Sequence, residues 1–257
     1  MSVTMRGYLD EVMPIIGRVA TGQAGNVEQA ADLIVASLRR DGVVQTFGSG
    51  HSEAFAMELA GRAGGLVPTN RLALRDVVLF GDAPRALVAD DKLERDPDIA
   101  HQVYELAAPA PQDVFVVASQ SGINGSVVEL ARLVKQRGHD LIAVTSVEHT
   151  GQVSPRHPSG QRLADLADVV LDNGAPYGDA VLPLDPSDTG SAGAGRCCAV
   201  SSVTGALLAQ LMTAEVVRLF QAAGEVPPIY LSANVPGGDE HNHHLESRYA
   251  GRIRRAA

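Results

Sequence analysis

The chain has 257 residues, a length that suits one large α/β domain or one domain with added helices. Aromatic residues make up only 4% and tryptophan is absent, so an aromatic platform for single-stranded nucleic acid is not expected. The net charge of −9 argues against a protein that binds a phosphate backbone, but it allows a local anion pocket of backbone N–H groups and hydroxyls.

The first part of the chain predicts helices, then a strand, then further helices. Residues 1–40 have the patterning of helices. The β-branched run "VVQTFGSG" predicts a strand closed by glycines, and "SEAFAMELAGRAGG" predicts a helix with Ser52 as its cap. The stretch "IAHQVYELAAPAP" predicts another helix.

The clearest unit is a β–α–β stretch from Asp113 to Ser146. Val114–Ala118 is a nearly continuous apolar run, which is typical of a strand buried on both faces. Ser126–Arg137 places its apolar residues on one face of a helix. Leu141–Thr145 predicts the next parallel strand.

The second part of the chain is predicted to alternate between loops and helices. Residues 147–160 and 175–195 are polar and contain Gly and Pro, so both predict loops. The stretch "LADLADVVLDNG" predicts a short helix that runs into a strand, and "SSVTGALLAQLMTAEVVRLFQAAG" predicts a long apolar helix. Together these elements predict a three-layer α/β sandwich with a mainly parallel sheet.

The location of the protein is predicted from its apolar runs and its cysteines. No apolar run approaches the roughly 18 residues of a membrane span, and the N-terminus has no signal-peptide core. Cys197 and Cys198 are adjacent, and neighbouring cysteines rarely pair, so no disulfide framework is expected. We therefore expect a cytoplasmic protein.

Two polar loops are expected where strands of the sheet end, and ligands bind beyond the carboxyl ends of strands in open parallel sheets. One loop is Gly48–Ser52, and the other is Ser119–Ser126. The second loop combines hydroxyls, amides and the N–H groups of a helix start, so it can cradle a phosphate. A simply capped turn remains the alternative, because Ser and Asn are good helix caps. Neither loop has the Walker A or the Rossmann pattern.

The pair "GSGHS" and "SQSGINGS", about 70 residues apart, resembles the SIS (sugar isomerase) domain family. The stretches "SPRHPSG", "DNGAPYGDA" and "NVPGGDEHN" further resemble a bacterial group of SIS proteins related to phosphoheptose isomerases. This resemblance implies a flavodoxin-like αβα sandwich with a mainly parallel five-stranded sheet and extra N- and C-terminal helices. It also implies a phosphosugar ligand and a homodimer or homotetramer.

The resemblance also implies a domain layout and a set of binding residues. The layout is a single SIS domain over residues 1–257, with a core from about 27 to 224, N-terminal helices in 1–40 and a polar tail in 225–257. The residues carried over to phosphate binding are Ser119, Gln120, Ser121, Asn124 and Ser126. The residues carried over to the sugar-facing loop are Ser49, His51 and Ser52.

Aldose–ketose isomerisation needs a base that removes the proton next to a carbonyl and a group that handles the hydroxyl protons. Glu58 is the predicted base, because its small and apolar neighbours Ala54, Met57 and Gly61 could desolvate its carboxylate. The alternative for Glu58 is an ordinary helix glutamate that pairs with Arg62.

Two histidines are further catalytic candidates. His51 lies in the first loop itself, and its alternative is a capping or surface histidine. His241 belongs to the run "DEHNHH", which either reaches an active site, including that of a neighbouring subunit, or forms a solvated turn.

A metal and a cofactor are not expected. Phosphoheptose isomerase has a histidine where Glu58 falls, and its metal-linked glutamate falls near Arg62, so this sequence does not reproduce the zinc ligands. An isomerase of this kind would therefore need a different base from that of phosphoheptose isomerase.

The sequence predicts a phosphosugar-binding SIS protein and, as its first hypothesis, a sugar-phosphate isomerase. A lyase that removes a C3 substituent from an N-acetylhexosamine 6-phosphate is one alternative, because it uses the same proton chemistry. A non-catalytic phosphosugar sensor is the other, although no basic helix-turn-helix segment is visible. The expected partners are a phosphorylated sugar and further copies of the chain, not nucleic acid or a membrane.

Overall fold

A computed structural model describes residues 3–90, 92–185 and 195–254 of the chain. Within these ranges the strands are β1 Val44–Gly48, β2 Thr69–Leu72, β3 Val114–Ala118, β4 Asp140–Thr145, β5 Val169–Asp172, β6 Ala180–Pro183 and β7 Arg196–Ala199. The α-helices are α1 Met5–Gly22, α2 Ala24–Leu38, α3 Glu53–Leu59, α4 Asp76–Leu79, α5 Ile99–Ala107, α6 Gly125–Gln136, α7 Val147–Gln152, α8 Leu163–Leu166, α9 Ser201–Ala222 and α10 Gly238–Ser247. Short 3₁₀ helices span Gly50–Ser52, Arg85–Ala89 and Leu93–Arg95.

Strands β1 to β5 form one sheet in the order β2-β1-β3-β4-β5, and every pairing in it is parallel. Val44 of β1 is in register with Thr69 on one side and with Val114 on the other. Because the strands are parallel, the loops that follow them meet at one edge of the sheet. The predicted flavodoxin-like sandwich with five parallel strands is confirmed.

Helices cover both faces of the sheet. In β3, Val114 and Val116 pack with residues of α1, α2, α3 and α9, whereas Phe115 and Val117 pack with residues of α5, α6 and α8. Successive side chains of a strand point to opposite faces, so a strand covered on both sides needs apolar residues throughout. This burial explains the continuous apolar run in the sequence.

Helix α9 is the long apolar helix that the sequence predicts. The expectation that no apolar run approaches a membrane span is wrong for this helix, because its 22 residues and a mean hydropathy of 1.4 over 18 of them would be enough to cross a membrane. In the structure it packs against α2 and α3, and Leu208, Met212 and Val216 belong to the core. These contacts are those of a core helix.

The helix after the first polar loop is shorter than predicted. A 3₁₀ turn at Gly50–Ser52 leads into α3, and the Ser52 side chain makes no capping hydrogen bond. The helix ends because Ala60 has an extended backbone and Gly61 has a φ of +73°, a left-handed conformation that glycine adopts easily.

Two segments predicted as loops contain regular structure. Residues 147–160 begin with α7, which the Ser146 hydroxyl caps by accepting a hydrogen bond from the His149 N–H. Residues 175–195 include β6, which pairs antiparallel with β7. Composition alone does not reveal this pairing, because the two strands are separated along the chain. Residues 186–194 of the predicted loop lie outside the described residues.

The C-terminal tail packs against the body of the domain. The Tyr230 N–H donates to the Gly65 carbonyl just before β2. Further on, Arg252 forms an ion pair with Asp113, whose fully buried carboxylate also accepts a hydrogen bond from the Val43 N–H. The tail therefore ties the segments before β1, β2 and β3 together.

Candidate functional site

A cleft of about 440 Å³ lies at the carboxyl edge of the sheet, next to the two predicted loops. We call residues 48–52 the β1 loop and residues 119–126 the β3 loop. The lining residues from these loops are Ser49, Gly50, His51, Ser52, Ser119, Gln120, Ser121 and Asn124. The other lining residues are Glu94, His149, Gly178, Asp179, Ala199, Ser201 and Ser202. The cleft thus lies between β1 and β3, where the strand order reverses and open α/β sheets bind ligands.

The β3 loop is held by hydrogen bonds of its own. The Ser119 hydroxyl accepts from the Gly122 N–H at 3.1 Å, and Gln120 Oε1 accepts from Asn173 Nδ2 at 2.7 Å. Gln120 Nε2, in contrast, is buried without a hydrogen-bond partner among the described residues. The 12-residue helix α6 begins at Gly125, so the positive end of its dipole lies at this loop.

Glu94 joins the two loops. Its Oε2 accepts from the Ser49 hydroxyl at 3.1 Å, and its Oε1 accepts from Asn124 Nδ2 at 2.9 Å. Its backbone carbonyl accepts from the Ser126 hydroxyl at 2.8 Å. The guanidinium of Arg156 donates to Asn124 Oδ1 at 2.9 Å, so a cation also supports the β3 loop.

Two glycines allow these close approaches. A Cβ on Gly125 would collide with the carbonyl oxygen of Arg95, and a Cβ on Gly48 would collide with that of Ser52. Glycine at these positions lets the segment around Glu94 lie against the start of α6 and lets the β1 loop turn tightly.

The opposite wall of the cleft is fixed by Asp179 and His149. The Asp179 carboxylate accepts from the N–H groups of Val200 and Ser201 at 3.1 and 2.8 Å, and from the Ser201 hydroxyl at 2.7 Å. His149 Nδ1 accepts from the Gly178 N–H at 2.9 Å. Asp179 thereby caps the start of α9 at the cleft.

The structure brings most of the predicted binding residues together. Those that line the cleft are Ser49, His51, Ser52, Ser119, Gln120, Ser121 and Asn124. Ser126 is fully buried behind them and binds the backbone of Glu94. Their predicted roles toward a phosphate and a sugar stay predictions.

Glu58 and His241 are not among the residues that line the cleft in the described chain. Glu58 pairs with Arg62 and accepts a hydrogen bond from Gln210 Nε2 at 2.7 Å, and its neighbour Met57 is 53% exposed. His241 lies on α10, where its Nε2 is 3.0 Å from the Ile229 carbonyl oxygen. The surroundings of Glu58 match the alternative of an ordinary helix glutamate that pairs with Arg62. The "DEHNHH" run lies in helix α10 and does not form the solvated turn.

Sequence reasoning missed Glu94 and Asp179. A signal for Glu94 was present in the sequence: the preceding residue, Leu93, is apolar within an acidic stretch, and in the structure it is buried against the domain.

No group of three or more His, Cys, Asp or Glu in the described ranges is arranged to hold a metal ion.

A second cavity of about 430 Å³ lies beside the cleft. It shares Ser49, Gly50 and Glu94 with the cleft and adds Leu74 and Val88, among others. A ligand that fills the cleft can therefore extend past Glu94 along a partly apolar wall.

Comparisons with solved structures agree with this fold. A phosphoheptose isomerase from Francisella tularensis superposes with a TM-score of 0.56 at 17% identity, over 83% of this chain and 96% of that chain. The phosphoheptose isomerase from Neisseria gonorrhoeae gives a TM-score of 0.53 at 20% identity, over 83% of this chain and 96% of that chain. At sequence identities of 20% or less, the similarity to these two structures shows a shared fold only.

Sequence comparisons identify the family. A UPF0309 protein of Listeria monocytogenes is 35% identical over 96% of this chain and 97% of its own length. A UPF0309 protein of Caldanaerobacter subterraneus is 34% identical over 96% of this chain and 98% of its own length. The family model described as the SIS domain matches residues 7–146. The chain is therefore a SIS domain protein of the UPF0309 family.

Proposed function

We propose that this protein binds a phosphorylated sugar in the cleft and acts on it as an aldose–ketose isomerase. The observation that carries the proposal is the position of Glu94, whose carboxylate lies between the β1 loop and the β3 loop and bonds to both. A phosphate held by one loop would place the sugar beside this carboxylate and along the other loop.

The β3 loop supports the phosphate half of the proposal. It offers the hydroxyl of Ser121, the N-terminal end of α6 and the donor Gln120 Nε2, which has no hydrogen-bond partner in the part of the chain that the structure describes. Donors of this kind bind a phosphate without net positive charge on the protein. Arg156, bound to Asn124, adds a cation next to the loop.

Glu94 and His51 support the proton transfers. An ionised carboxylate has about four lone-pair sites, so Glu94 can accept a further proton while it keeps its bonds to Ser49 and Asn124. In the proposed reaction Glu94 removes the proton from the carbon next to the carbonyl and returns it to the former carbonyl carbon. His51, at the exposed end of the β1 loop, moves a proton between the two substrate oxygens.

The first experiment is a panel of hexose, pentose, heptose and N-acetylhexosamine 6-phosphates, each paired with its unphosphorylated sugar. We expect at least one phosphorylated sugar to raise the melting temperature by roughly 2–4 °C, about 1 kcal/mol for a chain of this size, and its unphosphorylated partner to have no effect. Proton NMR of each hit in deuterated water then reports exchange at the α-carbon and the product that forms.

Three glutamine variants assign the base. Glu94→Gln should lower the exchange rate by about 100-fold or more and keep binding, because a general base contributes factors of that size. Glu105→Gln is the control, because Glu105 is an exposed residue of α5 outside the cleft. Glu58→Gln tests the base predicted from the sequence, and loss of exchange in this variant alone would move the chemistry to Glu58.

The remaining outcomes separate the alternatives. A hit that loses its C3 substituent identifies a lyase that uses the same proton abstraction. A hit that binds without any exchange identifies a phosphosugar sensor. If no phosphorylated sugar binds, the proposal as a whole fails.

A further inference from the structure

The two cysteines of the chain lie side by side on β7 with their sulfur atoms in contact. Cys197 is partly buried and Cys198 is exposed. Neighbouring residues of a regular strand point to opposite faces, which would separate the two thiols. Cys198, however, has a φ of +63°, and its Sγ lies 3.7 Å from the Sγ of Cys197. The left-handed backbone therefore brings both thiols to one side.

This pair is joined directly to the wall of the cleft. Ala199, the next residue, lines the cleft, and its carbonyl accepts a hydrogen bond from the Tyr8 hydroxyl at 2.9 Å. Beyond it, Asp179 holds the N–H groups of Val200 and Ser201. A change in the backbone at Cys198 thus reaches the cleft through a single residue.

We propose that Cys197 and Cys198 form a modification site, a vicinal dithiol that low-molecular-weight disulfides oxidise reversibly to a disulfide between the two neighbouring residues, with a change in the cleft wall. The thiolate of Cys198 attacks one sulfur of the small disulfide and expels a thiolate. Cys197, once deprotonated, attacks Cys198 Sγ and expels the second thiolate. Two protons leave the protein, two electrons pass to the small disulfide, and two small thiols form.

The order of attack follows from the exposure of the two thiols. Cys198 is the accessible one. Burial, and then the hydrogen bond with Cys198 and the charge of its thiolate, raise the pKa of the Cys197 thiol, so this thiol forms its thiolate less readily. Cys197 is therefore the resolving thiol.

The resulting disulfide would be labile. Neighbouring Cα atoms are about 3.8 Å apart, whereas ordinary disulfides join Cα atoms roughly 4.4–6.8 Å apart. The bond must also close the sulfur separation from 3.7 Å to about 2.0 Å across a single peptide unit, which strains the backbone between the two residues. Strained disulfides are easily reduced, which suits a reversible modification and not a structural cross-link.

The test uses the full-length protein and oxidised glutathione. The chain contains two cysteines, so a disulfide within one molecule can only be this pair. We expect intact mass spectrometry to show the loss of two hydrogens, no bound glutathione and no covalent dimer, and reduction by dithiothreitol to restore the original mass. The single variants Cys197→Ser and Cys198→Ser cannot close the bond. Cys198→Ala and Cys198→Ser are expected to react with oxidised glutathione more slowly than Cys197→Ser does. Cys197→Ser should retain one bound glutathione.

A wild-type protein that retains glutathione, or that forms only disulfide-linked dimers, would overturn the proposal. The link to the cleft is tested separately, by hydrogen exchange of the reduced and oxidised proteins without any ligand. We expect a change of about tenfold in amide exchange for residues 178–183 and 197–203, on the scale at which local opening is measured. The double variant Cys197→Ser/Cys198→Ser, treated identically, should show no change. If the oxidised wild type exchanges like the reduced form, the disulfide does not reach the cleft.

Discussion

The β1 loop and the β3 loop follow neighbouring parallel strands, yet they are held very differently. In the β3 loop, Ser119, Gln120 and Asn124 all make side-chain hydrogen bonds to the protein. In the β1 loop, His51 and Ser52 have no side-chain hydrogen-bond partner among the described residues, although both line the cleft. Among the described residues, the β1 loop makes a side-chain hydrogen bond only at Ser49, whereas the β3 loop makes them at several positions. The β3 loop is therefore held more firmly before a ligand arrives.

This difference suggests a division of labour between the loops. A phosphate is the same group on every sugar phosphate, so a fixed loop binds it at a low cost in conformational entropy. Sugars differ in the positions of their hydroxyls, so an adaptable loop can serve several of them. Substitutions in and around the two loops, and changes of pH, test whether the β3 loop is the rigid anchor and the β1 loop the adaptable wall.

The largest effect is expected from Gly125→Ala. The added Cβ would collide with the carbonyl oxygen of Arg95 and push the segment that carries Glu94 away from the start of α6. We expect the free energy of unfolding to fall by about 3 kcal/mol, measured by urea denaturation.

Gly17→Ala is the matched control for this prediction. A Cβ on Gly17, in the interior of α1, meets no described atom within 4 Å other than its neighbours and the backbone of its own helix, and alanine favours a helix by about 1 kcal/mol over glycine. If Gly125→Ala is as stable as Gly17→Ala, the close approach of the two segments is not tight, and the β3 loop is less rigid than the contacts indicate.

An intermediate effect is expected when one residue of each loop is truncated. Asn124→Ala removes the bonds to Glu94 and Arg156, so it should weaken binding of the phosphosugar found in the panel by about tenfold or more. His51→Ala breaks no side-chain hydrogen bond to the described residues and should weaken binding only about threefold, or roughly 0.6 kcal/mol. Isothermal titration calorimetry measures both losses. Equal losses would contradict the distinction between a fixed and an adaptable loop.

The smallest effect is expected from pH, through the strand that carries the β3 loop. His139 is buried beside Phe115 of β3, with ring centroids 5.2 Å apart, and its ring nitrogens contact the Tyr104 hydroxyl and the Asp113 carbonyl. Burial lowers the pKa of His139 below its ordinary value of 6.5. The hydrogen bond to the Asp113 backbone and the Asp113 charge raise this pKa, but their effect is smaller.

The sign of the pH effect follows from proton binding. Between the lowered pKa and 6.5, the unfolded chain binds more protons at His139 than the folded chain does. The free energy of unfolding should therefore fall as the pH drops below 6.5. Urea denaturation at several pH values measures the slope, and His139→Gln, which cannot titrate, should reduce it. An unchanged slope in this variant would assign the effect to other groups.

The fold was largely predictable because its signals are local. The predicted strand Val114–Ala118 agrees with β3, and the predicted helix Ser126–Arg137 lies within one residue of α6 at each end. Both depend on apolar periodicity within a short window, and both are confirmed. The β6–β7 pairing was missed because it joins segments on either side of a polar stretch, where composition favours a loop.

The site was predictable only where its residues follow a strand directly. Glycines and hydroxyls after β1 and β3 pointed to both loops. The position of Glu94 in the cleft was not predicted, because its contacts with Ser49 and Asn124 span 45 and 30 residues of sequence. The surroundings of Glu58 were not predicted either, because its partner Gln210 lies 152 residues away in the sequence. Such long-range contacts leave no periodic pattern in a single sequence.

The ion pair between Asp113 and Arg252 bears on when the protein can finish folding during its synthesis. Asp113 lies just before β3 with its carboxylate fully buried, and its cation Arg252 follows 139 residues later in the sequence. A buried carboxylate without its partner costs several kcal/mol. A nascent chain on the ribosome can therefore contain every strand of the sheet and still lack the neutralising charge. Full stability is therefore expected only once the segment that carries Arg252 has been made and has packed against Asp113, so chains cut short before Arg252 should be less stable than those that contain it.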